Sequence, residues 1–461
     1  MKIIICGAGQ VGRGIARRLS AEGNDVTVID TQPELVRTIS NDLDVQGIVG
    51  HGAHPEVLER AGAQDAEMLI AVTHADEVNM VACKVADALF GVTTRIARVR
   101  AQAYLEKRYQ ALFARENLAI DLTISPEVAV GNMVLDRLSY PGAQDVVHFA
   151  SRRVVALGML LDEDCPVTGT PLAQLTALFP DLPAVIVAVN RNGRVFIPHR
   201  DDELEAGDFV YVITNTESAQ RVLHIMGHEE EPASHIIIAG GGNIGRYVAT
   251  RLLDERSHAQ IKIIEHDIHR ADELARVLSG KGRVMVLAGS ALNARLLEEA
   301  EVQRADLYLA LTNDDKVNLL SAMLARQLGA MRSMSLVSTL DSARLAAPLN
   351  LDSWIDPRAV TVSEILQYAR GGFLHRIYPV FDDAGELIEA EALETSPIIG
   401  RKLREADIPD GVRIGLILRG DQLIRATGDV EIRPGDDVIL FALAEQRDAV
   451  ARLFRVSLEY F

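Results

Sequence analysis

Two stretches of this chain space their glycines so that a backbone can wrap a phosphate. They are "CGAGQVGRGIARRL", beginning at Cys6, and "AGGGNIGRYVATRLL", beginning at Ala239. Each contains G-x-G-x-x-G: Gly7, Gly9 and Gly12 in the first, Gly240, Gly242 and Gly245 in the second. The first glycine allows the tight turn, the second lets a phosphate approach the main chain, and the third lets a helix pack close to the preceding strand. Gln10 and Val11, like Asn243 and Ile244, stand where that helix opens, so free N–H groups and the helix dipole would face the anion. An acid follows each fingerprint at about 20 residues, the distance at which a ribose hydroxyl is met: Asp30 ends "DVTVID" and Glu265 follows "IKII". Thr31, not an arginine, comes after Asp30. That favours a free 2′-hydroxyl over a 2′-phosphate, hence NAD or an adenosine nucleotide over NADP.

Further polar residues distinguish the two copies. The first half reads "RIARVRAQAY", with Arg98 and Arg100; the matching segment "SMSLVSTLDS" has Leu336 and Ser338 there. Guanidinium groups suit phosphate because they donate several hydrogen bonds at fixed geometry. The first cradle is therefore expected to distinguish phosphate number, as between ATP and ADP. The second, relying on amides and Glu265, is expected to take a dinucleotide or nothing. Thr73 and Asn79, matched by Thr312 and Asn318, fall in a polar turn at the expected ligand edge, where the asparagines would brace the loop. His51, His54 and His74 lie near that edge, but Ser290, Ala291 and Asn313 replace them in the second half, so the copies share no catalytic set. No catalytic residue or metal ligand is assigned. Cys6, Cys83 and Cys165 are scattered without C-x-x-C spacing, which fits reduced, buried thiols.

These residues need strands and helices to hold them. Ile3–Ile5 and Ile236–Ile238 read as buried strands before each cradle. The repeat then continues: "LERAGAQDAEMLIAVTHADEVNMVACKVA" answers "LEEAEVQRADLYLALTNDDKVNLLSAMLA", each a helix, a strand running to threonine, a turn and a helix. Ser125-Pro126 and Asp356-Pro357 open helices with a capping residue and a proline. These helices stop at Pro141-Gly142 and Gly371-Gly372 and read as linkers or dimer-forming elements. Beyond them lie short alternating strands with turns at Asn192-Gly193, Gly207-Asp208, Gly420-Asp421 and Gly435-Asp436. Asp201, Asp202, Glu203 and Asp208 read as a solvated acidic face. The expected fold is α/β: two Rossmann-like doubly wound parallel-sheet domains, each followed by a small α+β domain. The divisions are 1–124, a linking helix 125–145, 146–228, a linker 229–234, 235–355, a linking helix 356–372, and 373–461.

The 461 residues carry 65 acidic and 47 basic side chains, a net charge of −18, which argues against a sequence-general nucleic-acid binder. No apolar run approaches the length of a membrane span, and no signal peptide is read at the N-terminus.

The A-B-A′-B′ order, the two fingerprints, the segment "GHGAHPEVLERAGAQDAEMLIAVTHADEVNMVA" and the Gly-Asp strand signature together resemble the regulator-of-potassium-conductance family. The likeness is to its tandem form, the cytoplasmic subunit of bacterial Trk potassium uptake systems, and spans essentially the whole chain. The resemblance implies RCK N-terminal domains that bind NAD(H) or ATP/ADP as regulatory ligands, and RCK C-terminal domains between and after them. It further implies a homo-oligomeric ring on the inner face of a membrane potassium transporter subunit, and a ligand-driven change of ring shape in place of catalysis. The alternatives are a regulator of another potassium channel or efflux system, and an NAD-dependent dehydrogenase. The small domains offer the latter no paired proton donors.

Overall fold

The computed structural model describes residues 1–256, 258–339, 342, 353–370, 374–381 and 383–454. The expected Gly371-Gly372 break, the last residues of the second linking helix, the start of the final domain at 373 and the C-terminal stretch 455–461 lie outside the described residues.

Short runs, apolar and β-branched in β1 and β2, build the first sheet: β1 (Lys2–Cys6), β2 (Asp25–Asp30), β3 (Gln46–Val49), β4 (Met68–Ala71), β5 (Thr94–Arg98) and β6 (Leu122–Ile124). They pair in the order β3-β2-β1-β4-β5-β6, all parallel. The order reverses beside β1, and ligands of doubly wound sheets sit in the crevice at such a switch point. Alternation along β1 sends Ile4 and Cys6 into one core and Ile3 and Ile5 into the other, as a sheet covered on both faces requires. The covering helices are α1 (Gln10–Ala21), α2 (Pro33–Asp42), α3 (Pro55–Arg60) and α4 (Asp76–Phe90), and α5 (Pro126–Ser139) follows the sheet.

Two five-stranded antiparallel sheets lie in the other compact unit. The first is β7 (Asp145–Phe149), β8 (Val154–Leu160), β9 (Val185–Arg191), β10 (Arg194–Phe196) and β11 (Phe209–Asn215), with helices α6 (Leu172–Leu178) and α7 (Ala219–Ile225).

The parallel sheet is then built again, with β12 (His235–Ala239), β13 (Gln260–Glu265), β14 (Arg283–Ala288), β15 (Leu307–Ala310), β16 (Ser333–Leu336) and β17 (Ser353–Ile355) in the order β14-β13-β12-β15-β16-β17. Its helices are α8 (Asn243–Glu255), α9 (Ile268–Leu278), α10 (Ala294–Glu299), α11 (Asp315–Gln327) and α12 (Pro357–Arg370).

The second antiparallel sheet comprises β18 (Leu374–Val380), β19 (Gly385–Glu391), β20 (Val412–Arg419), β21 (Gln422–Arg425) and β22 (Asp437–Leu443), followed by α13 (Arg447–Phe454). It matches the first antiparallel sheet strand for strand in its order. The two share one core, where Phe149, Tyr211 and Ile213 meet Leu387, Leu416 and Phe441. A buried carboxylate pins that interface: Asp145 accepts hydrogen bonds from the Tyr211 hydroxyl at 2.6 Å and the Tyr378 hydroxyl at 3.2 Å.

The chain therefore groups into two compact units: Met1–Val134 with Ala233–Ala369, and Leu135–Pro232 with Arg370–Phe461. The two parallel-sheet domains share the first unit, and their linking helices do more than connect. Ile365 and Leu366 of α12 are buried in the core of the first parallel-sheet domain with Ile3, Ile5, Ile15 and Leu19. In the opposite direction, the Tyr247 hydroxyl of α8 donates to Asn132 Oδ1 of α5 at 2.8 Å. Each half thus lends its linking helix to the other.

Candidate functional site: two phosphate cradles

Both fingerprints form the loop their glycines require. Gly7 sits at φ +115° and Gly240 at φ +103°, a region that costs a side-chain-bearing residue dearly. A Cβ on Gly12 would fall 1.8 Å from the Gly7 carbonyl oxygen, and one on Gly245 would fall 1.9 Å from that of Gly240. The third glycine thus presses helix against turn in both halves. The middle glycines behave oppositely: a Cβ on Gly9 or Gly242 would meet no heavy atom within 4 Å. That open space is where an anion could reach the main chain.

The two cradle helices also stand apart in their capping. Gly9 and Gly242 precede α1 and α8 with nearly identical backbone angles, and neither helix has a side-chain cap or an acid in its first turn. In the second half, by contrast, α9, α10 and α11 are capped by Asp267, Asn293 and Asp314. In the first, α2, α3 and α4 each carry an acid in the first turn. The first N–H groups of a helix need partners from outside it, and its positive end attracts an anion. At Gln10, Val11, Asn243 and Ile244 the chain leaves that role open.

The strand-end acids are placed beside the loops. Asp30 accepts from the Ala8 N–H at 2.8 Å and the Gln32 N–H at 2.9 Å. Glu265, buried, accepts from the Gly241 N–H at 2.7 Å and the Asp267 N–H at 2.9 Å. Both therefore fix the loop as well as face the cradle.

The turn residues repeat bond for bond. Asn79 Oδ1 accepts from Thr73 N–H at 2.9 Å and the Thr73 hydroxyl at 2.7 Å, while its Nδ2 donates to the carbonyls of Thr73 and Arg98. Asn318 does the same for Thr312 and Leu336. The asparagines tie the turns after β4 and β15 to the ends of β5 and β16. Both strands stop at alanine, two residues short of the threonine, because the threonine N–H is drawn to the asparagine. A second brace went unread in the sequence. Asp76 accepts from the N–H groups of Arg100 and Ala101, and Asp315 from those of Ser338 and Thr339. Burial pushes the Asp315 carboxyl up, but these donors outweigh it and hold it below the usual range.

The arginines have different fates. Arg98 Nε is buried without a hydrogen-bond partner, and burial together with nearby Arg100 lowers its pKa. Arg100 is half-exposed and donates through Nε to Glu127 Oε1 at 2.8 Å. Leu336 is buried at the equivalent of Arg98. Glu127 itself is replaced by Arg358, which pairs with the helix-capping carboxylate of Asp356.

Other groups are accounted for structurally. His51 and His54 stack with ring centroids 4.4 Å apart. Burial pushes the Cys6 thiol up to about 12, and Cys83 and Cys165 are buried as free thiols. The acidic face expected around residue 208 is corrected in part: Asp208 is fully buried and holds Arg191 through both oxygens at 2.7 Å. Asp436 holds Arg419 in the same way. Among the described residues, His375, Glu389 and Asp437 bring metal-type donor atoms within 4.8 Å of one another. His375 lies between Glu391 and Asp437, and Glu389 accepts from the Ala150 N–H. No helix among the described residues is long and apolar enough to cross a membrane.

Fold and cradles together define a tandem protein of two Rossmann-like domains, each followed by a small antiparallel domain. The TrkA-N domain family matches residues 3–126 and 236–357, and the TrkA-C domain family matches 158–227 and 387–455. The chain is 50% identical over 461 residues to the Trk system potassium uptake protein TrkA of Azorhizobium caulinodans, covering 100% of both. It is 39% identical over 465 residues to the protein of that name from Halomonas elongata, again over 100% of both. The chain belongs to the TrkA family. Among solved structures, the GsuK RCK domain matches with a TM-score of 0.62 at 16% identity, over 98% of this chain and 94% of that one. The GsuK channel bound to NAD matches with a TM-score of 0.61 at 16% identity, over 98% of this chain and 78% of that one. At that identity the likeness speaks for the fold.

Proposed function

We propose that this chain is a nucleotide-sensing regulatory subunit of a Trk-type potassium transporter, acting as a ring of tandem chains on the inner face of the membrane. The observation that carries the ligand reading is the pair of uncapped helix N-termini behind an open middle glycine. The potassium reading follows from membership of the TrkA family. In this reading the nucleotide-binding domains span 1–124 and 235–355, the small domains 146–228 and 373–461, and the helices 125–145 and 356–372 join them across the linker 229–234.

Phosphates of ATP, ADP or NAD(H) would take N–H groups around Gly9–Gly12 and Gly242–Gly245, and Asp30 and Glu265 would accept from ribose hydroxyls. Arg98, which has a buried donor to spare, would meet the outermost phosphate in the first cradle, with Arg100 beside it. Asn79 and Asn318 would act as braces for the loops carrying Thr73 and Thr312. Regulation needs no bond to break. A ligand shifts a two-state assembly only by its differential affinity, and about 10-fold per site is worth about 1.4 kcal/mol, accumulating over coupled sites.

Titration calorimetry with ATP, ADP, NAD and NADH tests the reading, using a G9V/G242V chain as the control. A Cβ at either position meets no heavy atom within 4 Å, so folding should survive while affinity falls at least about 10-fold. Undiminished binding by the folded variant would refute the cradle assignment. Co-purification with the membrane transporter and the mass of the assembly test the partner and the ring.

A further inference from the structure

The exchanged linking helices carry an inverted pattern of sizes. Aligning Gly12 with Gly245 places Gly14 of α1 opposite Tyr247 of α8 in the repeat. Aligning Pro126 with Pro357 places Gly131 of α5 opposite Val362 of α12. The structure joins these four positions reciprocally. A Cβ on Gly14 would fall 2.9 Å from Val362 Cγ2, and a Cβ on Gly131 would fall 2.4 Å from Tyr247 Cδ1. The same two surfaces thus meet twice, as across a two-fold axis. In one contact the cradle helix is small and the linking helix large; in the other the sizes are reversed.

We propose that these contacts are keys of opposite sense, so that each half accepts the other half as its partner at this surface and rejects a second copy of its own kind. Two first halves would set Gly14 against Gly131, leaving a void where neither side chain reaches. They would also lose the hydrogen bond from the Tyr247 hydroxyl to Asn132, because Gly14 has nothing to donate. Two second halves would set the Tyr247 ring against Val362, although the ring already lies too close to Gly131 to admit even a methyl group. Voids and overlaps in a packed interface are both destabilising. Such mismatches are how proteins exclude a wrong partner. This inference stands apart from the ligand reading, since it rests on helix packing alone.

Single substitutions in the full chain recreate each forbidden contact in place. V362G gives the glycine-on-glycine contact of two first halves. G14Y gives the tyrosine-on-valine contact of two second halves. G14Y/V362G restores tyrosine on glycine, as in the other contact. Thermal unfolding should show each single variant several degrees below the unchanged chain, with the double variant recovering most of the loss. The cycle cancels the intrinsic helix penalty of glycine. A double variant that falls by the sum of the two singles would overturn the proposal. Should G14Y fail to fold, G131A serves in its place. Alanine for glycine inside a helix ordinarily stabilises, but here it should lower the midpoint beside Tyr247 and raise it in a Y247G chain. A rise in both backgrounds would equally refute the keys.

Discussion

The two cradles share a backbone and differ in charge. Gly7 and Gly240, Gly12 and Gly245, Asn79 and Asn318, and Asp76 and Asp315 hold their loops by the same contacts in both halves. At the edge where phosphates would end, the first half offers Arg98, Arg100 and Glu127, while the second offers Leu336, Ser338 and Arg358. The two copies kept what builds the turn and differ in what, on the proposed reading, would read the ligand. A difference in occupancy between the halves should therefore come from the rim of the site and leave its floor alike.

The largest expected effect tests the sameness. G12A and G245A each force a methyl group into a carbonyl oxygen and should each cost about 3 kcal/mol, read by urea unfolding of the full chain. A loss from one and not the other would break the equivalence of the floors. Next comes the difference. R98A should weaken ATP about 30-fold, as expected for a charged hydrogen-bonding group, and ADP clearly less, with the second cradle unchanged; calorimetry would read both. Equal losses for the two ligands would remove Arg98 as the counter of phosphates. R100A should change ATP affinity less than about threefold, because a half-exposed, already paired guanidinium contributes little. A loss as large as that of R98A would instead make the two arginines a joint clamp.

The smallest effect concerns pH. The Asp315 carboxyl is held below its usual value. The unfolded chain therefore takes up its proton first, and the stability the carboxylate supplies is full above about pH 4 and fades as pH falls through the folded pKa. The gap in unfolding midpoint between the unchanged chain and D315N should close on acidification below about pH 4. A gap constant from pH 7 to pH 3 would show that the ionised form is not what braces the loop.

Much of this was legible in the sequence because its determinants are local. A glycine fingerprint, the strand before it and the acid after it lie within one βαβ unit, so spacing alone places them. The fate of Arg98 against Arg100 was not legible, since it depends on Glu127 arriving from the next helix to take one of them. Asp208 misled for the same reason. In sequence it joins Asp201, Asp202 and Glu203; in the fold the turn just before β11 sets it inward onto Arg191. The packing of α12 on the first half is harder still to foresee, because helical periodicity reports an apolar face without saying which distant surface it covers.

That exchange of helices sets a limit on how the gene can be cut. A message ending at the seam near residue 232 would still encode every strand of the first sheet. It would also leave Ile3, Ile5 and Ile15 without the Ile365 and Leu366 that now seal them. Ancestral duplication made two copies of one part. Each copy now wears a piece of its sibling, and a cut at the seam would bare the surface that piece covers.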